Sequence, residues 1–521
     1  MTFPTALEPK FDPTEYGDFQ TPLWLARQIV RLMGQDTAFK AVLEPTCGMG
    51  NFLWAAVEGL PSLERAVGLE INPEYVQFAR ERTWTGILPD IRRADVFETD
   101  LGAVTQSLPE PYLVLGNPPW ITNAGQGTIN GENLPRKSNL KNLSGLDALT
   151  GKSNFDVSEW ILIHLLEQIS STQNACAMIV KSSVARKLIL YARNQGMWLK
   201  EFRLHEIDAK KAFDVSVSAC VLCFRGSPRE ADSDFNYRSF SSLDTTHFVL
   251  YQLEGDHFVS DPVAFASSQK YATSGQKLWR SGVKHDLARV MELRRLGEGF
   301  VNGDGAVVEV EPDLLYPLLK SSDVAKGLVT SRLYTLITQR RVGAPTDSIA
   351  LEQPKTWAYL ERYTSLFSGR KSSIYNGKPP FSIFGIGPYS FAPYKIAISG
   401  LYKRLQFTLL EPINGKCVML DDTCYFLGFE DVLTARVYLA ALERPEAHRY
   451  FEARIEWSDK RPIKKDILDS FDLTAFIKDH ATVLQQQVCA SNPSAAREVK
   501  LWFLQFSASR LEAQPLLLDT P

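Results

Sequence analysis

Residues 41–72 read AVLEPTCGMGNFLWAAVEGLPSLERAVGLEIN. Ala41 to Leu43 is a short apolar run, and EPTCGMGN closes it in a turn whose glycines let the backbone come close to a ligand. A helical stretch begins near Phe52, and AVGLEI (66–71) reads as a second buried strand. Upstream, Thr21-Pro22, LWLARQIVRLM and Gly34 carry a helix's punctuation: a capping hydroxyl, proline in the first turn, glycine past the end. Downstream, Asn72-Pro73 opens a helix to about Thr83, and IRRADVF (91–97) and YLVLG (112–116) are strand candidates. Helical periodicity returns at 157–170 and from about Val184. AMIVK (177–181), FRLHEI (202–207) and SACVLCF (218–224) complete the set of strands. Alternation of this kind predicts an α/β, doubly wound, Rossmann-like domain.

The turn after the first strand lacks both GxGxxG spacing and the Walker Lys-Ser/Thr, which disfavours dinucleotide and P-loop readings. What it has is an acid. Glu44 closes the first strand and can hold a ligand ammonium; Glu70 closes the second and can accept from ribose hydroxyls. Asp95, expected at the end of the third, can bind an adenine amino group. Any one of these could simply cap the next helix. Three in succession at strand ends line one crevice at a topological switch point.

GNPPW (116–120) follows at the next strand end. The Asn117 side-chain oxygen and the Pro118 carbonyl form a pair of acceptors for an exocyclic amine, and Pro118 and Pro119 stiffen the loop that carries them. Such a pair favours an sp³-like nitrogen and frees a lone pair otherwise conjugated into a nucleobase, with no covalent nucleophile required. Trp120 offers a face on which a planar base can stack. A proline-stiffened turn with a core tryptophan is the bland alternative.

The order of these motifs resembles the gamma class of S-adenosylmethionine-dependent N6-adenine DNA methyltransferases, of the TaqI-methyltransferase-like restriction–modification type. FQTP (19–22), EPTCGMGNF, GLEIN, ADVF and NPPW resemble the cofactor and catalytic motifs. GKSNFDVSEW, VKSSVARK and AFDVSVSACVLCF resemble the later ones, so the likeness covers about 210 residues. It implies that Phe19, Thr21 and Pro22 border the cofactor, and that Glu44, Pro45 and Gly48 face its methionine part. Glu70 would bind the ribose, Ile71 would lie against the adenine, and Asp95, Val96 and Phe97 would read it. Asn117 and the Pro118 carbonyl would hold the target amine of an extruded base, with Trp120 stacked on one side and Phe213 on the other. Trp in the fourth motif position is frequent in N4-cytosine enzymes, which leaves that alternative open, as are RNA and protein-glutamine methyltransferases, and a DNA-binding protein with a vestigial cofactor fold.

The chain has 521 residues, 45% hydrophobic and 22% charged, enough for two or three globular domains. No apolar run approaches the roughly 18–20 residues that span a bilayer, and the N-terminus lacks a signal pattern. Seven cysteines without regular spacing argue for a reducing, cytoplasmic setting; Cys220 and Cys223, in an apolar strand, read as packing, and no cluster has metal-ligand spacing. Residues 1–225 form the expected cofactor-binding catalytic domain, with 121–153 as a mobile loop. Residues 235–472 form the expected mixed α+β target recognition domain, and 473–521 a helical tail. Net charge is −3 overall, but 1–120 holds 9 Lys+Arg against 16 Asp+Glu (−7) and 320–410 holds 13 against 4 (+9). That asymmetry suits a polyanion partner for the later segment, or equally a solvated charged face; the resemblance implies that the partner is double-stranded DNA. Lys181, Arg340, Arg341, Arg370, Lys371 and Lys403 are the candidate DNA contacts. No nuclease motif is present, so cleavage requires a separate restriction endonuclease; a monomer is the favoured state.

Overall fold

The computed structural model describes residues 19–120 and 157–508, apart from 36, 216, 274–276, 298 and 458. The expected loop 121–153 and the last residues of the expected tail, 509–521, lie outside the described residues. Two compact units divide the chain, Met1–Ser260 and Asp261–Pro521.

The first unit is built on a ten-stranded sheet. Its strands are β1 (Ala41–Glu44), β2 (Arg65–Glu70), β3 (Asp90–Arg93), β4 (Tyr112–Gly116), β5 (Ala175–Lys181), β6 (Leu199–Ile207), β7 (Ala219–Gly226), β8 (Tyr237–Phe240), β9 (Phe248–Glu254) and β10 (His257–Val259). The order across the sheet is β10-β9-β8-β6-β7-β5-β4-β1-β2-β3. β3, β2, β1, β4 and β5 run parallel, and β7 enters antiparallel between β5 and β6. Around it lie α1 (Leu23–Gly34), α2 (Asn51–Gly59), α3 (Pro73–Glu81), α4 (Leu101–Gln106), α5 (Val157–Ile169), α6 (Ser182–Asn194) and α7 (Ala209–Phe213). β1, β4 and β5 are almost wholly buried, as expected of parallel strands covered on both faces. After β3 the chain crosses β1 and resumes at β4, so the switch point falls between the carboxyl ends of β1 and β4.

Local chemistry explains the helices that frame this point. Leu25, Ala26, Ile29, Val30 and Met33 put one apolar stripe of α1 into the core. Asn72 caps α3 by accepting from the Glu74 N–H at 2.9 Å, with Pro73 in the first turn. Gly68 in β2 has no side chain because a Cβ there would lie 2.7 Å from Leu53 and 2.9 Å from Cys47 Sγ. The turn after β1 can therefore fold flat onto β2.

Two sequence expectations need correction. The first domain does not end near residue 225: β8 pairs parallel with β6, and β9 and β10 extend the sheet, so residues 237–259 belong to it. Residues 473–508 are helical as expected but are packed into the unit rather than trailing from it. Helices Leu473–Asp479, Ala481–Ser491 and Ala496–Ala508 bury Leu473, Phe476, Leu484, Val488 and Phe503 in the same core as Ile396, Tyr438 and Phe451.

The second unit is mixed α and β, with a four-stranded and a six-stranded sheet. Among the described residues, no helix is long and apolar enough to cross a membrane. All seven cysteines are free, and Cys220 and Cys223 are buried in β7.

Candidate active site

A cleft opens at the switch point. Glu44, Glu70 and Asp95 all line it, together with Phe19, Thr21, Pro45, Gly48, Ile71, Val96, Phe97, Asn117 and Pro119. Nearly all of the residues that the sequence motifs single out thus meet in one place. Pro22, Pro118, Trp120 and Phe213 do not line it; the extended backbone of Pro22 caps α1, which the fixed proline φ favours.

The three acids do different structural work. Glu70 accepts from the Gly48 N–H with one carboxylate oxygen and from the Asn72 N–H with the other, both at 2.8 Å. It locks the β1 turn to the β2 turn. Glu44 is 3% exposed and accepts weakly from the Leu53 N–H at 3.3 Å; burial pushes its carboxyl well above the usual range. A bound ammonium would favour the ionised form. Asp95 lies two residues beyond β3, not at its end, and accepts from the Phe97 N–H at 2.9 Å. The last bond to β2 comes from the Ala94 N–H to the Glu70 carbonyl at 2.9 Å, and the Asp95 side chain then organises the turn that follows.

Several residues of the site escaped the sequence reading. Gln20 accepts from the Met49 N–H at 3.1 Å, and its amide occupies the space over Gly48, where φ is +50° and a Cβ would lie 2.5 Å from the Gln20 oxygen. It stands inside the FQTP quartet, which was its signal. Arg82 donates to the Met49 carbonyl and to Asn51 Oδ1, both at 2.9 Å, while its guanidinium lies 4.5 Å from the Trp54 ring. Val157, inside the GKSNFDVSEW motif, and Ile161, one residue past it, line the cleft from α5.

Asn117 stands at the end of β4. Its amide nitrogen donates to the Phe19 carbonyl at 2.9 Å, and its oxygen is buried with no hydrogen-bond partner among the described residues. An orphaned buried acceptor is costly unless a ligand satisfies it. Trp120 and Phe213 sit beside it, each 9% exposed. They do not form the expected two-sided slot. Their rings meet edge to face, centroids 5.3 Å apart, and Phe19 joins them at 5.7 and 6.1 Å. A base between two parallel rings needs about 7 Å, twice the ordinary carbon contact distance. Trp120 and Phe213 pack edge-on, Phe19 packs tilted against both, and the three rings close the gap.

The other expected DNA contacts are spread out. Lys181 is the last residue of β5 and outside the cleft lining. Arg340, Arg341, Lys371 and Lys403 are exposed in the second unit. Arg370 is a correction: it donates to the carbonyls of Phe367, His285 and Ser382 and stacks 3.5 Å from the Tyr375 ring centroid. It staples the fold and is not a free cation.

The residues fit the cofactor. The cleft offers a buried carboxyl for an ammonium, a half-buried carboxylate where ribose hydroxyls would lie, and the exposed aliphatic face of Ile71 (40%) for a flat ring. This sheet order and cleft define a class I S-adenosylmethionine-dependent methyltransferase. More narrowly, the chain belongs to the restriction–modification DNA methyltransferases. It is 41% identical over 469 residues to the type II methyltransferase M.NspV of Nostoc sp. (strain ATCC 29411 / PCC 7524), covering 89% of this chain and 97% of that protein. No protein-family model matches it. Among solved structures it is similar to a type I restriction–modification methyltransferase subunit from Streptococcus thermophilus (TM-score 0.30, 15% identity, 50% of this chain and 56% of that one). The EcoKI type I restriction enzyme M protein is a comparable match (TM-score 0.30, 15% identity, 43% and 48%).

Proposed function

We propose that this chain methylates the N6 amine of adenine at a specific site in double-stranded DNA, as the modification enzyme beside a separate restriction endonuclease. The observation that carries the reading is the unsatisfied Asn117 oxygen, buried at the end of β4 in the cleft that also holds Glu44, Glu70 and Asp95. An exocyclic amine is the group such an acceptor seeks.

Glu44 would hold the cofactor's ammonium and Glu70 its ribose, with Asp95 and the edges of Val96 and Phe97 on its adenine. When bound there, S-adenosylmethionine supplies a methyl group on a sulfonium. The chain's own task is the amine. Asn117 Oδ1 and the Pro118 carbonyl accept its two N–H bonds and hold the nitrogen pyramidal, so that its lone pair leaves the ring system. A base inside the duplex cannot reach this pocket and must be extruded, at a cost of a few kcal/mol. Stacking on Trp120 returns about 1–3 kcal/mol. Phe213 must turn away from Trp120 to admit the base, because the two rings now touch.

Trp120 in the fourth motif position favours a second reading, transfer to the N4 amine of cytosine. The same acceptor pair serves both. Plasmid DNA incubated with purified protein and labelled S-adenosylmethionine, then digested to nucleosides for mass spectrometry, separates them. N6-methyladenine is expected; N4-methylcytosine would establish the second reading, and unmodified DNA would refute both.

A further inference from the structure

In the second unit, three buried polar side chains are committed to holding one exposed turn. Thr338, Gln339 and Thr346 are 5%, 3% and 0% exposed. Thr338 donates to the Phe381 carbonyl at 2.8 Å, and Thr346 to the Pro380 carbonyl at 2.7 Å. Gln339 accepts from the Ile383 N–H at 3.0 Å and donates to the Ala344 carbonyl. The turn between these anchors is closed by the Ala344 N–H on the Arg341 carbonyl at 3.1 Å, with Gly343 at φ +78°. Arg340, Arg341, Val342, Gly343 and Pro345 are all exposed, and a Cβ on Gly343 would meet nothing within 4 Å.

A contact to phosphate needs only a positive charge on a flexible stem. Reading a base edge needs a fixed backbone, because a guanidinium must place two donors at once. The anchors supply that fixity. Within the tip the two arginines differ. The Arg340 guanidinium lies 4.7 Å from the Phe391 ring centroid and is drawn back onto the protein. For Arg341, no carboxylate or aromatic partner is found among the described residues. Val342, 44% exposed, presents an aliphatic face beside it.

We infer that Arg341 reads a guanine in the major groove, donating to its O6 and N7, while Val342 covers the methyl group of a neighbouring thymine. The inference rests on the DNA reading above and adds where sequence is recognised. It is tested on the full chain with Arg341→Ala, Arg341→Lys and Val342→Ala, each given a library of randomised duplexes and S-adenosylmethionine, with methylated sites read by sequencing. Wild-type selectivity should contain a guanine at one position. Both Arg341 variants should lose preference for it by about 5- to 150-fold while keeping the other positions, and Val342→Ala should relax an adjacent thymine. Thermal melting should match wild type, since the side chains are exposed. The inference is overturned if Arg341→Ala weakens every site equally with a shallower salt dependence and Arg341→Lys restores it, which marks a phosphate contact. It is equally overturned if the variants keep the wild-type profile. Failure of the wild type to methylate any duplex would instead sink the DNA reading itself.

Discussion

The Asn117 side-chain amide donates to the Phe19 carbonyl at 2.9 Å, joining two segments 98 residues apart. A carbonyl can only accept, so this bond decides that the amide's nitrogen points away from the cleft and its oxygen toward it. Asn117→Ala removes the acceptor and should lower the turnover of methyl transfer by about 10²–10³-fold, the scale seen when one preorganised polar group is deleted from a reacting centre. Binding of S-adenosylmethionine, measured by calorimetry, should stay close to wild type. Asn117→Asp should also fail, because a carboxylate placed against the Phe19 carbonyl has no proton to donate. Normal transfer by either variant removes Asn117 from the chemistry.

Arg82 makes a second prediction. It touches the turn over the cofactor and acts through it, by bonds to the Met49 carbonyl and Asn51 Oδ1. Hydrogen bonds from a charged donor contribute about 1.5–3 kcal/mol each. Arg82→Met keeps the stem that packs on Trp54 and loses both bonds. The dissociation constant for S-adenosylmethionine should rise tenfold or more, with turnover at saturating cofactor little changed. A drop in turnover with unchanged affinity would contradict this positioning role.

The sequence made the cofactor half legible because its signals are local. Acid-bearing turns after apolar runs, and the paired prolines of 118 and 119, announce themselves within ten residues. What it hid depends on distant partners. The run YRSF at 237–240 reads as a strand in any context; only its pairing with Phe202–His205 assigns it to the first sheet. Arg370 reads as a surface cation in a basic stretch, yet one of its acceptors, the His285 carbonyl, lies 85 positions away. The closing of Phe213 onto Trp120 is likewise a packing outcome among three rings from three segments.

His205 gives the first unit a pH dependence. It is 2% exposed, stacked 4.2 Å from Phe240 at 9°, and its Nε2 has no partner among the described residues; burial pulls its pKa down to about 4, the Ser242 carbonyl opposes this, and Arg203 adds to it. Between about pH 6.5 and 4 the unfolded chain binds a proton that the folded chain refuses. Stability is therefore complete above pH 6.5 and falls as pH drops through that window, by about 3 kcal/mol at most. His205→Phe keeps the stack and removes the titration. Its melting temperature should fall less than the wild type's between pH 7 and 5; parallel curves would rule His205 out as the source.

Lys395 gives the second unit a dependence of the same sign at higher pH. It is 1% exposed in the strand Tyr394–Ser399, and its Nζ donates to the Ala392 carbonyl at 2.9 Å and lies 5.7 Å from the Phe426 ring centroid. No carboxylate pairs with it among the described residues. Burial lowers its pKa to about 8, against 10.5 for a free lysine. Below pH 8 the charge is carried in both states and the full burial cost persists. Between about 8 and 10.5 only the unfolded chain binds the proton, so stability rises with pH. Lys395→Met matches the stem's length without the charge, and replacing a poorly paired buried ion by an apolar side chain is often stabilising by about 1–4 kcal/mol. The variant should melt several degrees higher at pH 7 and lose the rise between pH 8 and 10. A lower melting temperature at pH 7 would show that the single bond to Ala392 outweighs the cost of burying the ammonium.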